Sequence, residues 1–274
     1  MRTATVTLLV LLCSVAHAGD KPAIRIASGE AGGTYQRIYA KNFERELRDY
    51  DVFHRPTTGT GANLEMLVSG EADVAFAQAD IYAVQHRQDP ASLENIVVIG
   101  QIAKECVYIA HRKGGGVESL DQLGQPVGGR PAKIAVGPAL GGASGTWRLL
   151  AILDPSLANV TVDHGGDVLA LNQLAVGAYD AMIWVTDPNN LRHKLLQALR
   201  DNPELGLMAI VDPKFNYTLP NGTRVYELSE IALEDGWRPD TLETVCTGAL
   251  VLARKDGAPK FIQKLADIVS KYPR

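Results

Sequence analysis

With 274 residues, 46% of them hydrophobic and 21% charged, the chain has the composition of a folded globular protein, which excludes disordered and collagen-like classes. Its 27 basic and 31 acidic residues give a formal charge of −4, a balance that argues against nucleic acid and anionic membrane surfaces as partners. Residues 1–18 have the form of a cleavable signal peptide. Arg2 starts it, Val6 to Val15 is a short apolar run, and Ala16-His17-Ala18 is a small-x-small cleavage signal with Gly19 as the mature start. The run is well short of the ~20 residues a membrane span needs. The mature chain is therefore expected to be exported, with no insertion into the membrane.

The first lobe is expected to begin with a strand at Ile24–Ala27 and a loop at Ser28–Gly33. A helix follows from about Thr34 to Arg48. Its Tyr35, Ile38, Tyr39, Phe43 and Leu47 recur at three and four residues, one helical face, and Thr34 is a competent N-cap. The strand Val52–Arg55 stops at Pro56, which cannot donate to a ladder. The loop Thr57–Gly61 then opens a short helix with Leu64, Leu67 and Val68 inward, closed by Gly70. A strand Val74–Ala77 and a helix Ile81–Gln88 come next. Val97–Ile99 and Val107–Ala110 read as separate strands, and the flexible Lys113-Gly-Gly-Gly116 reads as a boundary. From Lys133 the plan repeats, with strands at Ile134–Val136 and Val160–Val162, a helix at Val168–Val176, a strand at Ala181–Val185 and a helix at Asn189–Leu199. The strand Gly248–Ala253 and the helix Pro259–Ser270 are expected to return to the first lobe. The predicted division is a signal peptide at 1–18, lobe 1 at 19–112 with 243–274 returning to it, and lobe 2 at 113–242. Alternating strands and helices predict an α/β protein with parallel sheets covered on both faces.

The two lobes share a written pattern. Leu64, Leu67, Gly70, Asp73 and Asp80 match Leu171, Leu174, Gly177, Asp180 and Asp187 at a constant offset of 107 residues. Each copy reads as a helix end, a glycine stop, an aspartate, a buried strand and a second aspartate at the strand's carboxyl end. An α/β rhythm alone does not fix five positions at one offset. Two similar lobes facing each other make a cleft, and in such sheets ligands sit beyond the carboxyl ends of the strands, beside helix N-termini.

Four loops fall at such places: Gly32-Gly33-Thr34-Tyr35, Thr58-Gly59-Thr60-Gly61, Ser144-Gly145-Thr146 and Gly165-Gly166-Asp167. Glycines allow close approach of a ligand to the backbone, and hydroxyls donate hydrogen bonds without adding charge. Converging helix N-termini suit a carboxylate or phosphate. Gln78, Thr186 and Asp187 are expected at the cleft mouth. Asp187 either receives an amino group or caps the helix after it; Trp184 and Tyr35 either wall the pocket or belong to the core. Cys106 and Cys246 survive processing and are either a disulfide or two buried thiols. Enzyme signatures are weak. Gly142-Ala-Ser144-Gly145 falls one residue short of a nucleophile elbow, and a hydrolase using Ser144 with His164 and Asp167 is a distant reading. His54, His86, His111, His164 and His193 lack metal-ligand spacing, and no phosphate-binding or dinucleotide motif occurs. No cofactor is expected.

The ordered set Gly32-Gly-Thr-Tyr35, Thr60-x-x-Asn63-Leu64, Ser69-Gly-Glu-Ala-Asp73, Gln78-Ala-Asp80, Val136-Gly137, Ser144-Gly-Thr146 and Gly177-x-x-Asp180-Ala181 resembles the TAXI family of periplasmic solute-binding proteins over nearly the whole mature chain. The resemblance implies a type II periplasmic binding protein fold, two α/β lobes closing on a small carboxylate such as glutamate or a 2-oxoglutarate-like dicarboxylate. It further implies a periplasmic location, no catalytic activity, and delivery to the membrane subunits of a TRAP transporter. Carried over by position, Gly33, Thr34, Tyr35, Thr60, Asn63, Gln78, Ser144 and Thr146 become ligand contacts, with Gly61, Gly145, Trp184 and Asp187 beside them. The segment Trp184-Val-Thr-Asp187 departs from the family pattern; Asp187 would repel a dicarboxylate unless the ligand carried an amine. A ligand-sensing domain partnering a membrane receptor kinase would use the same cleft.

Overall fold

The computed structural model describes residues 21–219, 222, 224–236 and 238–272; the expected signal peptide, residues 1–18, lies outside them. The chain enters as β1 (Ala23–Ala27) and turns into a helix whose first part, Tyr35–Ala40, has π-type turns before it continues as α1 (Lys41–Glu46). Thr34 already has helical angles and its side chain caps nothing. Instead the Gly32 N–H is taken by Gln36 Oε1 at 2.7 Å, one turn further on. β2 (Asp51–Arg55), α2 (Thr60–Ser69), β3 (Val74–Gln78) and α3 (Ala79–Gln88) follow. β1 pairs in parallel with both β2 and β3. All five residues of β3 are buried, as its apolar run Val74–Ala77, covered on both faces, requires.

β4 (Ile96–Arg112) is a single strand of 17 residues. The two apolar runs expected as separate strands are its ends, and the polar stretch between them is where it crosses from one lobe to the other. Beyond it lie a short α4 (Leu120–Leu123), β5 (Lys133–Ala135), α5 (Gly142–Leu153), β6 (Thr161–Asp163), α6 (Asp167–Ala175) and β7 (Ala181–Thr186). α7 (Lys194–Arg200) starts later than the expected Asn189, because residues 187–193 form successive turns closed by Asn190 N–H to Asp187 O and His193 N–H to Asn190 O, each 2.9 Å. The short β8 (Leu205–Leu207) and β9 (Glu227–Ala232) lead to β10 (Thr241–Arg254), and α8 (Pro259–Val269) closes the described chain.

The strand order is β2-β1-β3-β10-β4-β7-β5-β6, with β8 added to β4 and β9 to β10. The strands form one mixed sheet rather than parallel sheets: β10 runs antiparallel to β3, β4 and β9, and β4 antiparallel to β7 and β8. A strand that crosses between lobes and another that returns must run in opposite directions. Both long strands change partners at one place. β10 pairs with β9 up to Cys246 and with β3 from Ala249, while β4 pairs with β7 from Cys106 onward. There Cys106 and Cys246 face each other in register and are joined by a disulfide.

The internal repeat is structural. Gly70 and Gly177 end their helices with φ of 78° and 80°, left-handed angles that favour glycine. Asp73 Oδ2 accepts the Arg25 N–H at 2.8 Å and returns its own N–H to Arg25 O, at 2.9 Å. In the second copy Asp180 Oδ2 accepts the Lys133 N–H at 2.7 Å and returns its own to Lys133 O, at 2.8 Å. Each aspartate also binds a guanidinium, Arg25 for Asp73 and Arg130 for Asp180. Each copy thus locks the start of its strand to the neighbouring strand in the same way. No helix among the described residues is long and apolar enough to cross a membrane.

Candidate ligand-binding cleft

The carboxyl ends of β1, β3, β5, β6 and β7 converge on a cavity of about 980 Å³. Its walls are the loop Gly29–Tyr35, the start of α2 at Thr58–Thr60, Gln78, Glu105, the segment Val136–Pro138 with Gly142 and Ala143, and the turn and first residues of α7. Gly33, Thr34, Tyr35, Thr60, Gln78 and Trp184 of the expected set line it. Tyr35 serves both expected roles. Its ring packs against Phe76 at 5.6 Å, while its hydroxyl donates to Glu105 Oε2 at 2.7 Å. Trp184 is 5% exposed and stacks on Tyr108 with centroids 5.3 Å apart, so the wall at this point is also core.

Gly61, Asn63, Ser144, Gly145, Thr146 and Asp187 do not line the cavity. Asn63 is fully buried behind it and fastens two of its loops: Oδ1 accepts from Gly29 N–H and the Thr57 hydroxyl, and Nδ2 donates to Phe76 O at 2.7 Å. Asp187 holds a turn, accepting from the backbone and side-chain nitrogens of Asn189 at 2.8 and 3.1 Å. Gly61, Gly145 and Thr146 sit where the lobes touch. Gly61 donates its N–H to Leu140 O of the other lobe at 2.9 Å, and a Cβ there would lie 2.8 Å from the same oxygen. A Cβ on Gly145 would meet Ile81 at 2.6 Å. These glycines do permit close approach, but of the opposite lobe rather than of a ligand.

Thr146 is the bolt of this contact. Its hydroxyl donates to Asp80 Oδ2 at 2.6 Å and accepts from Gln78 Nε2 at 3.3 Å, joining α5 to the carboxyl end of β3. Asp80 is fully buried and also accepts from Tyr226 OH at 2.7 Å and from Ile81 N–H. Burial pushes its carboxyl above the usual range, against the pull of the two hydroxyls. Ser144 is buried beside Thr146, while His164 binds Gly137 O and Asp167 pairs with Lys194. No hydrogen bond joins these three among the described residues, so the distant hydrolase reading has no assembled triad.

Charge is divided within the cavity. Arg37 from lobe 1 and Arg192 from lobe 2 are exposed in its lining and make no ion pair among the described residues. Lys194 is engaged by Asp167 at 2.6 Å. Asp167 has φ of 66°, a left-handed angle rare outside glycine, at the first residue of α6 on the cavity wall. Glu105, from the crossing part of β4, is 8% exposed. Burial raises its carboxyl to about 7, with Asp80 and Asp187 adding to the rise and the Tyr35 hydrogen bond opposing it. Sequence reading missed Arg37, Glu105 and Arg192 as a set. Arg37 lies one helical turn past a wall residue, but nothing in the pattern around Glu105 separates it from the core strand that carries it.

Solved structures share this architecture. A putative L-cystine ABC transporter protein from Listeria monocytogenes is similar over 91% of this chain and 89% of its own, at 12% identity and a TM-score of 0.55. The alkanesulfonate-binding protein SsuA from Xanthomonas axonopodis pv. citri, bound to MOPS, is similar over 93% and 74%, at 15% identity and 0.54. A Candida albicans protein described as having the generic periplasmic binding protein fold is similar over 91% and 70%, at 14% identity and 0.54. The chain has a periplasmic binding protein fold. At these identities the likeness concerns the fold alone. No protein-family model matches the chain, and neither does the sequence of any curated protein. Within the binding-protein fold the 980 Å³ cavity lies between the lobes, beside the two strands that join them.

Proposed function

We propose that this chain is an exported, non-catalytic solute-binding protein that closes its lobes on a small carboxylate and presents the closed form to a TRAP transporter in the membrane. The observation that carries the reading is the pair of arginines, Arg37 and Arg192, that line one interlobe cavity and make no ion pair among the described residues. A carboxylate bound between them touches both lobes at once and so favours the closed arrangement by its differential affinity. The starts of α2, α5 and α6 on the same walls add partial positive charge. Glutamate and 2-oxoglutarate-like dicarboxylates are the ligands implied by the TAXI resemblance, and that resemblance alone supports the TRAP partner and the periplasmic location. Similar structures named for L-cystine and alkanesulfonate are in keeping with a small charged solute.

The test is a thermal-shift screen of the mature chain against amino acids, 2-oxo acids, dicarboxylates, sugars and phosphate. A ligand at 100 times its dissociation constant stabilises by about 2.7 kcal/mol, a shift of several degrees. A rise confined to carboxylates is expected; a rise with sugar or phosphate and none with carboxylates contradicts the ligand class. For the partner, uptake of the bound carboxylate into vesicles carrying TRAP membrane subunits is expected to require this protein.

A further inference from the structure

Glu105 stands apart from the other charges of the cavity. Glu30, Arg37, Asp167, Arg192 and Lys194 are exposed, whereas Glu105 is 92% buried on a strand that passes between the lobes. Its Oε2 accepts from the Tyr35 hydroxyl at 2.7 Å. Among the described residues no other hydrogen bond and no ion pair reaches the carboxyl, which leaves Oε1 without a partner on a side chain that lines the cavity. The ionisable groups acting on it at longer range, Asp80 and Asp187, carry the same sign. A buried carboxylate with no cation is costly unless something pairs it. An ammonium group supplies both the opposite charge and three donors.

We propose that Glu105 is the amine-recognising residue of the cavity, so that the ligand carries a protonated amino group, held at Oε1, as well as its carboxylate. The inference rests on the reading of the cavity as the ligand site and narrows it to amino-acid-like zwitterions. A 2-oxo acid or plain dicarboxylate leaves Glu105 unpaired and brings a second anion toward it, Asp80 and Asp187. Sites built to bond a polar group reject the analogue that lacks it far more strongly than sites that merely enclose it. Burial raises the proton affinity of Glu105, and no neighbouring cation offsets it among the described residues; a bound ammonium would draw the carboxyl back to the ionised form.

The experiment is calorimetric titration at pH 8, where Glu105 is ionised, with pairs of acids that differ only by the amine: L-glutamate against glutarate, and L-leucine against 4-methylpentanoate. In at least one pair the wild type is expected to bind the amine-bearing member about 10-fold tighter or more. Glu105→Gln is expected to cut that ratio to about two-fold or less, and Glu105→Asp, which keeps the charge, to retain a preference of the same sign. A deaminated acid that binds as well as its parent overturns the inference and leaves the carboxylate reading standing. So does a ratio that survives Glu105→Gln in a variant that still melts cooperatively. Failure of both members of every pair to bind overturns the reading of the cavity, and the inference with it.

Discussion

At the scale of single residues, the cavity and the lobe contact are built from buried acids satisfied in different ways. Asp80 takes hydrogen bonds from Thr146 and Tyr226 of the other lobe. Thr146→Val keeps the shape and removes both the donor to Asp80 and the acceptor for Gln78. It is expected to cost about 1–3 kcal/mol, read by chemical denaturation; an unchanged midpoint contradicts the role of bolt. Glu105 sets a pH signature. Its folded-state value of about 7 lies above the ordinary 4.5, so between these values the folded chain binds more protons than the unfolded one. Its contribution to stability is therefore full below pH 4.5 and is lost as pH rises to about 7, on the order of 3 kcal/mol. Glu105→Gln is expected to remove that fall. The check is the difference between wild-type and variant stability measured from pH 4.5 to 8, and a constant difference contradicts it.

At the scale of elements, the interlobe contact depends on glycines in the first turns of α2 and α5. The start of α2 and the loop leading into α5 approach so closely that Gly61 has Leu140 O where a methyl would go. Alanine is intrinsically better than glycine inside a helix by about 1 kcal/mol. Gly61→Ala is nonetheless expected to destabilise the chain by about 1–3 kcal/mol through overpacking, and a stabilised variant in the same denaturation assay contradicts this packing. The long strands offer a second check. The disulfide joins β4 to β10 across a sequence separation of 140 where both change partners. Cys246→Ser is expected to cost about 2–5 kcal/mol, visible as a lowered melting temperature that reductant reproduces in the wild type.

Much of this was legible in the sequence. The strands β1, β3 and β7, the helix α8 and the five positions repeated at offset 107 follow from apolar periodicity and glycine stops, which are local signals. The continuity of β4 was not legible: Val97–Ile99 and Val107–Ala110 read as separate strands because polar side chains lie between them, and only pairing with β10 makes Gly100 to Glu105 strand. The glycine-hydroxyl motifs were legible as places of close approach, but local sequence does not say what approaches. For Gly33, Thr34 and Thr60 it is the cavity; for Gly61, Gly145 and Thr146 it is the other lobe. Arg37 and Arg192 lie in different lobes, and only the tertiary fold brings them to one space.

At the scale of the whole molecule, one mixed sheet runs through two lobes that meet along α3, α5 and the start of α2 and leave a cavity beside the crossing strands. The contact made by Gly61, Thr146 and Asp80 lies outside the lining of that cavity, so the lobes can hold together on one side while a ligand bridges them on the other. That arrangement makes closure the central claim. The measurement that bears on it most directly is calorimetric titration of the mature chain with the carboxylate giving the largest thermal shift, for wild type and for Arg192→Ala. One ligand per chain is expected, with the variant about 10-fold weaker or more, as befits loss of a charge-assisted hydrogen bond worth about 1.5–3 kcal/mol. Equal affinity in wild type and Arg192→Ala would contradict a ligand held between the lobes.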